Sequence, residues 1–329
     1  MEKYLTMLLP LFFSFIGTAL TLHYLIPVLK SKRVGQKILD IGPRWHKDKE
    51  GTPTMGGIAF LVFITLSSVL GLVYLFLSKK IEKASFSLLL LTVFYGLANG
   101  IIGITDDVQK LRRKKNEGLT ATEKYLLQLA ASLLFIFLLR RFGGETVVYL
   151  PFFGEKADLG VFWYPLALLF LTGFTNAVNL TDGLDGLCGT VSTAVALFFA
   201  LFLSSTGFLG GAVLSTSIIG GTLGFLVYNL HPAKVFMGDT GSLFLGALIS
   251  GLALSSGNAA VLFIVGIVYL LEAASVIIQV LFFKLTGKRV FLMAPLHHHF
   301  EKKGMSEGKI TLLALIITLI ASVATYYSR

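Results

Sequence analysis

Apolar stretches about as long as a bilayer is thick recur ten times along the 329 residues, and this recurrence limits the fold before any single residue is considered. A run of about 20 apolar residues crosses a hydrocarbon core as a helix. Within lipid each backbone N–H and C=O must find its partner inside the segment. The runs fall near 4–29, 56–77, 86–104, 125–139, 161–178, 187–204, 211–229, 242–256, 259–283 and 310–327, the fourth and eighth being short. The sequence therefore predicts an all-α polytopic membrane protein of about ten transmembrane helices, one integral membrane domain over 1–329. The first run is too long for a cleavable signal and lacks a small-residue cleavage site, so it reads as the first span. Cys188 stands alone, which rules out an intrachain disulfide.

Only 14% of the residues are charged, yet the net charge is +10. In a membrane protein such an excess points to anionic headgroups and positive-inside loops, not to nucleic acid. The connections 30–55, 105–124, 230–241 and 284–309 hold 20 of the 28 Lys and Arg, Arg44 and Lys47 among them; the remaining 8 lie on the other side. This bias predicts that those connections are cytoplasmic and that both termini lie outside.

The chemically interesting clusters all fall on the predicted cytoplasmic side. They are Arg44-Trp45-His46-Lys47 with GTPTMGG from Gly51, the pair Asp106-Asp107, NAVNLTDGLDG from Asn176, Asn229 with FMGDTGS from Phe236, and APLHHHFE from Ala294. The other side carries Gly, Ser and scattered charge, with a short hairpin expected within 142–160. In NAVNLTDGLDG, Asn176, Asn179, Asp182 and Asp185 follow one another every three residues. Neighbours at that spacing share a helix face, but the row drifts by about 60° per step. The four meet one ligand only if Gly183 and Gly186 bend the chain. A polar turn between two spans would also use Asp-Gly pairs; carboxylates at a membrane edge are costly and usually functional.

Asp106-Asp107 closes an apolar run, and Asp239 sits in a Gly-Asp-Thr-Gly turn. Mg²⁺ binds through one or two carboxylates plus substrate phosphates, so acidic loops converging on one face suit a metal held together with a phosphate ligand. An acidic pair in a surface turn is the plain alternative. Lys49, Lys110 and Lys124 suit a phosphate-rich substrate, while simple topology accounts for most other basic residues. His297-His298-His299 cannot all face one metal, and no Cys stands near at zinc spacing; donation to phosphate or sugar oxygens fits better. Glu272 and Gln279 are the main polar intrusions in the ninth span. Glu272 reads equally as a proton-relay acid or as a glutamate satisfied by a neighbouring helix, and Gln279 lies one turn from the cytoplasmic end. No GxxxxGK[ST], GxSxG, HExxH or EF-hand pattern occurs. Metal-assisted phosphoryl transfer at the inner membrane surface remains.

NAVNLTDGLDG, Asp106-Asp107, FMGDTGS and APLHHHFE, in series and over essentially the whole chain, resemble the polyprenyl-phosphate N-acetylhexosamine-1-phosphate transferases. HHHFE and GTPTMGG resemble the muramoyl branch. The resemblance implies Mg²⁺-dependent transfer from UDP-MurNAc-pentapeptide to undecaprenyl phosphate, giving lipid I and UMP for peptidoglycan in the bacterial inner membrane. It also implies a homodimer. By that resemblance Asp239 ligates Mg²⁺ with Asp107 close by. Asp106 deprotonates the lipid phosphate, or one of the pair attacks directly. Phe236 stacks on uracil, edged by Gly183, Leu184 and Asp185. Asn179, Asp182, Thr54 and Gly238 bound the next pocket, with Lys49, Asn229, Gln279 and Asn176 around it. Lys110 and Lys124 contact phosphate, and His298, flanked by His297 and His299, faces the sugar or phosphate end. The rival expectations are the same chemistry on UDP-N-acetylglucosamine, a lipid-precursor flippase, and a non-catalytic scaffold.

Overall fold

The computed structural model describes residues 2–31, 49, 51–113 and 118–328. Ten of the helices are long and apolar enough to cross a membrane. They are α1 (Glu2–Ser31), α2 (Gly57–Leu77), α3 (Lys83–Arg113), α4 (Ala121–Arg141), α5 (Trp163–Thr181), α6 (Leu187–Ser205), α7 (Leu209–Asn229), α8 (Gly238–Ser255), α10 (Ile267–Thr286) and α12 (Glu307–Tyr327). The short helices α9 (Ala259–Val265) and α11 (Leu296–Lys302), and a 3-10 turn at Gly160–Phe162, complete the named helices among the described residues. The cluster Arg44 to Lys47 lies outside those residues.

Burial sorts the helices into two rings. α6, α7 and α8 are largely or almost wholly buried, whereas α1, α4, α10 and α12 turn long apolar side chains outward, as lipid-facing helices do. Small residues let the inner helices approach. At Gly220 of α7 an added Cβ would lie 2.1 Å from the Leu11 carbonyl oxygen of α1, so only glycine fits. Polar side chains then fix register: Ser67 of α2 donates to the Pro10 carbonyl at 2.6 Å, and Thr92 of α3 meets Ser255 of α8 at 2.7 Å. Such bonds average about 0.6 kcal/mol within membranes. They specify pairing more than they supply stability.

Four of the runs differ in extent from the sequence reading. α3 continues six residues beyond Asp107 to Arg113, so the acidic pair lies within the helix and not at its end. The ninth run is two helices: α9 and α10 meet at Gly266, whose φ of −91° and ψ of 19° leave the helical region. The short fourth and eighth runs belong to full helices, because α4 begins earlier, at Ala121, with a Thr120–Glu123 capping box, and α8 begins with the polar Gly-Asp-Thr-Gly. The expected hairpin is present as β1 (Val147–Leu150) and β2 (Glu155–Asp158), antiparallel with Val147 opposite Asp158. The Tyr149 N–H donates to the Gly257 carbonyl at 2.9 Å, which ties the hairpin to the turn after α8.

Candidate active site

The loop ends of α3, α5, α7, α8 and α10 gather their polar residues at one end of the bundle, opposite the hairpin. Asp107 organises the first cluster. Its carboxylate accepts from the Asp239 N–H at 3.2 Å, the Thr240 N–H at 3.0 Å and the Thr240 hydroxyl at 2.7 Å. First-turn N–H groups have no partner within their own helix, and a carboxylate there also meets the positive end of the helix dipole. Asp107 thus caps α8 from a different helix. Gly238 makes room for it: its φ is +70°, and a Cβ would stand 2.5 Å from Asp107 Oδ2.

Asp239 projects from the same turn into a pair of lysines. Its Oδ2 accepts from Lys124 at 2.6 Å and from Lys110 at 2.9 Å, while Oδ1 accepts from Asn179 Nδ2 at 2.8 Å. Asp106 faces the same lysines, 2.6 Å from Lys110 and 3.4 Å from Lys124, and accepts from the Leu119 N–H at 2.9 Å. One oxygen from each of Asp106, Asp107 and Asp239 falls within 4.8 Å of the others. Three carboxylates against two ammonium groups leave one negative charge. The donors are hard oxygens without thiolate or imidazole, the set that suits Mg²⁺. A dication would make the cluster positive, and an anionic phosphate ligand would offset that.

A second cluster lies across the loop after α5. The helix stops at Thr181, and Gly186, at φ +74°, starts α6, so the expected bend exists. It sends the polar row in separate directions: Asn176 donates to Gln128 at 2.6 Å, Asn179 reaches Asp239, and Asp185 turns to Lys49 at 2.7 Å. Lys49 also contacts Glu307 at 2.6 Å. The other Asp185 oxygen meets His231 Nδ1 at 3.0 Å and the Ala233 N–H at 3.0 Å. Burial pushes the Asp185 carboxyl up, but Lys49, Ala233 and His231 outweigh it and hold it below the usual carboxylate range. The Asp182 carboxyl lies between the two clusters with no hydrogen bond or ion pair among the described residues. Loss of water, then the charges of Asp239, Asp107 and Asp185, push it well above that range.

The remaining predicted residues separate into those at the clusters and those that hold loops. The Phe236 N–H donates to the Pro53 carbonyl at 2.8 Å and its carbonyl accepts from the Gly56 N–H at 2.9 Å. This stitches GTPTMGG to FMGDTGS and sets Thr54 beside Gly238. Leu184 is buried. Asn229 accepts from the Gly186 N–H at 3.0 Å and donates to the Val235 carbonyl at 2.9 Å, so both its functions bind backbone. Gln279 likewise accepts from the N–H groups of Val290 and Phe291 at 3.0 and 2.9 Å and donates to the Phe291 carbonyl at 3.3 Å. Of the histidines, His297 turns inward. Its Nδ1 is 3.0 Å from Glu272, and its buried Nε2 has no partner among the described residues and faces Gly183, where a Cβ would meet it. His298 instead meets Glu301 at 2.6 Å, and His299 Nδ1 accepts from the Leu292 N–H at 3.1 Å.

Sequence reasoning gave no role to Thr240, Gln128, His231, Glu301 and Glu307. Thr240 and Glu301 stand in the motifs FMGDTGS and APLHHHFE, and Glu307 is an acid opening the last apolar run, with nothing local to link it to Lys49.

The chain is similar to known proteins over nearly its whole length. A model of Glycosyl transferase family 4 matches residues 86–257, and a signature of phospho-N-acetylmuramoyl-pentapeptide-transferases matches residues 49–61, the stretch that carries Lys49 and Thr54. The phospho-N-acetylmuramoyl-pentapeptide-transferase of Halalkalibacterium halodurans is 41% identical over 98% of this chain and 97% of its own. That of Caldanaerobacter subterraneus subsp. tengcongensis is 44% identical over 96% of each chain. That of Carboxydothermus hydrogenoformans is 42% identical over 99% of this chain and 98% of its own. The chain belongs to the phospho-N-acetylmuramoyl-pentapeptide-transferase family. Membership in that family makes the two acid–lysine clusters parts of a phosphosugar transferase in a multi-pass membrane protein.

Proposed function

We propose that this enzyme transfers phospho-MurNAc-pentapeptide from UDP-MurNAc-pentapeptide to undecaprenyl phosphate, giving lipid I and UMP in peptidoglycan synthesis. The observation that carries this reading is the near full-length similarity to relatives of that name, with the family signature falling on the loop stitched to the acidic cluster. The bias of Lys and Arg in the connections supports a cytoplasmic site, both termini outside and the bacterial inner membrane. The lipid-facing character of α1 and α12 is compatible with a homodimer.

Asp239 and Asp107 would hold Mg²⁺, with Asp106 alongside. Bound there with the diphosphate, Mg²⁺ supplies charge neutralisation on the oxygens of the group in transfer. Lys110 and Lys124 take up charge on departing UMP as a lipid phosphate oxygen attacks the β-phosphorus in line and the bond to UMP breaks. Asp106, held by both lysines and the Leu119 N–H, would accept the lipid phosphate proton before attack; in a two-step course one of the pair would attack instead. Phe236 stacks on uracil, with Gly183, Leu184 and Asp185 at its edge and Lys49 beside them. Asn179, Thr54, Gly238 and Asp182 border the diphosphate side. The unpartnered Nε2 favours His297 over His298 as the imidazole that meets the sugar or phosphate end.

The test is UMP release by detergent-purified protein given undecaprenyl phosphate, Mg²⁺ and either UDP-MurNAc-pentapeptide or UDP-N-acetylglucosamine. UMP from the first alone, abolished by EDTA, is the expected result. UMP from the second assigns the protein to N-acetylglucosamine transfer, and release from neither by folded protein overturns the enzyme reading.

A further inference from the structure

Every residue given a part in the proposed reaction precedes residue 300, and the last span, α12, has none. Its first turn nevertheless reaches the nucleotide end of the site. Glu307 Oε2 accepts from Lys49 Nζ at 2.6 Å and from the Asp185 N–H at 3.0 Å, and Thr311, one turn on, lies 3.4 Å from the Asp185 carbonyl. Glu307 therefore holds both the backbone of the loop 182–186 and the ammonium group opposite it. We infer that Glu307 is a positioning residue for the nucleotide pocket, fixing Lys49 and the Gly183–Asp185 edge in the geometry that receives the uridine moiety. The inference rests on the nucleotide reading of that edge given above.

The chemistry of the donors explains why a second carboxylate is needed. A lysine ammonium has three N–H donors. Asp185 and Glu307 take two of them, which aims the third and spares Lys49 the rotamer entropy it would lose on meeting a ligand. Asp185 cannot do this alone, because its Oδ2 is already committed to His231 and the Ala233 N–H. Both carboxylates are largely enclosed, with side-chain exposures of 2% for Asp185 and 11% for Glu307. Neither exchanges its partner for water without cost. Asp185, His231 and Glu307 also resemble a metal-binding trio, their ligand atoms lying within 4.8 Å of one another. Besides the Lys49 ammonium, the backbone N–H groups of Asp185 and Ala233 occupy these carboxylate oxygens and cannot move aside, so the cation of this cluster is Lys49. Positioning through Glu307 predicts a loss in nucleotide affinity without a loss in chemistry.

The experiment uses the full chain in detergent and reads two quantities: UDP binding by calorimetry, and steady-state kinetics with each substrate varied. Glu307→Ala is expected to raise the Kd for UDP and the KM for the sugar nucleotide about tenfold, with kcat and the KM for undecaprenyl phosphate within about twofold. Glu307→Gln keeps a side-chain acceptor for the Asp185 N–H but loses the charge on Lys49, so it should weaken UDP binding by about threefold, less than Glu307→Ala. In a Lys49→Met background, Glu307→Ala should add less than about twofold, because the two act as one unit. A fall in kcat with unchanged KM, a Gln variant as impaired as Ala, or full additivity with Lys49→Met each overturns the proposal. Should Glu307→Ala unfold, Glu307→Gln and Thr311→Val carry the test: about threefold and about twofold weaker UDP binding is expected, and unchanged binding in both overturns the proposal. If the parent binds UDP and Glu307→Ala weakens it while no UMP is released from UDP-MurNAc-pentapeptide, the reaction fails and the positioning role stands. Turnover by the parent with UDP affinity unchanged in every variant leaves the reaction standing and overturns the positioning role.

Discussion

Two carboxylate–lysine clusters lie at the same end of the bundle and are built for different ends. Around Asp239, two lysines share one oxygen, and Asp106 contacts both of them. Around Asp185, both oxygens are committed, and two of the contacts to the Asp185–Glu307 pair come from backbone N–H groups. Lysine side chains can swing away and leave carboxylates for another cation; backbone donors cannot. The first arrangement suits exchange of charge during a reaction, the second suits holding a loop still. Asp107 combines the two, since it sits with the exchanging acids while capping α8.

The largest test of that contrast is Asp239→Asn. It should lower turnover by about a thousandfold or more in protein that still inserts and purifies; near-parental UMP release would remove Asp239 from the metal site. Next, equivalent lysine changes should act on different constants. Lys110→Met is expected to cost about a hundredfold in kcat, while Lys49→Met should cost about tenfold in the KM for the sugar nucleotide and little in kcat. Equal effects on both constants from both variants would erase the distinction. Phe236→Ala should weaken UDP-sugar binding by about tenfold, the scale of one base–aromatic stack, and leave the lipid KM alone; parallel losses on both substrates would deny the stacking role.

The smallest effect concerns Asp182, the acid between the clusters. Its folded-state carboxyl is pushed above its unfolded range, first by burial and then by three neighbouring acids. Ionisation therefore opposes folding, and the penalty appears above about pH 4, where the unfolded group loses its proton. Asp182→Asn should raise the unfolding temperature of metal-free protein at pH 8 and leave it unchanged near pH 4. A stability gain that is independent of pH would mean that Asp182 is already neutral or paired.

How much of this could be read in the sequence depended on the range of the interaction. The spans were legible because burying a backbone in lipid demands long apolar helices, and that demand is local. The gathering of Asp106, Asp107 and Asp239 was legible as shared sidedness. Where polar residues sit inside a span, hydropathy gave the wrong boundary: α3 runs past Asp107 because its last two turns carry Asp107 and Lys110, which meet α8, not lipid. The break at Gly266 was hidden because both halves are apolar. The resemblance put Asn229 and Gln279 around the ligand; in the structure each has both its polar functions on backbone, which only tertiary geometry makes visible. The pairing of Lys49 with Glu307 spans 258 residues and leaves no local trace.

That long pairing has a bearing on how the protein is made. A membrane protein is synthesised from its N-terminus, and its segments insert before the chain is finished. Lys49 is in place early, Asp185 and His231 follow, and Glu307 comes only with the final helix. Until α12 inserts, the loop after α5 lacks its anchor and Lys49 lacks its second carboxylate. A chain arrested before α12 would contain all the acids of the Asp239 cluster and still lack the Glu307 carboxylate that holds Lys49 and the Asp185 backbone.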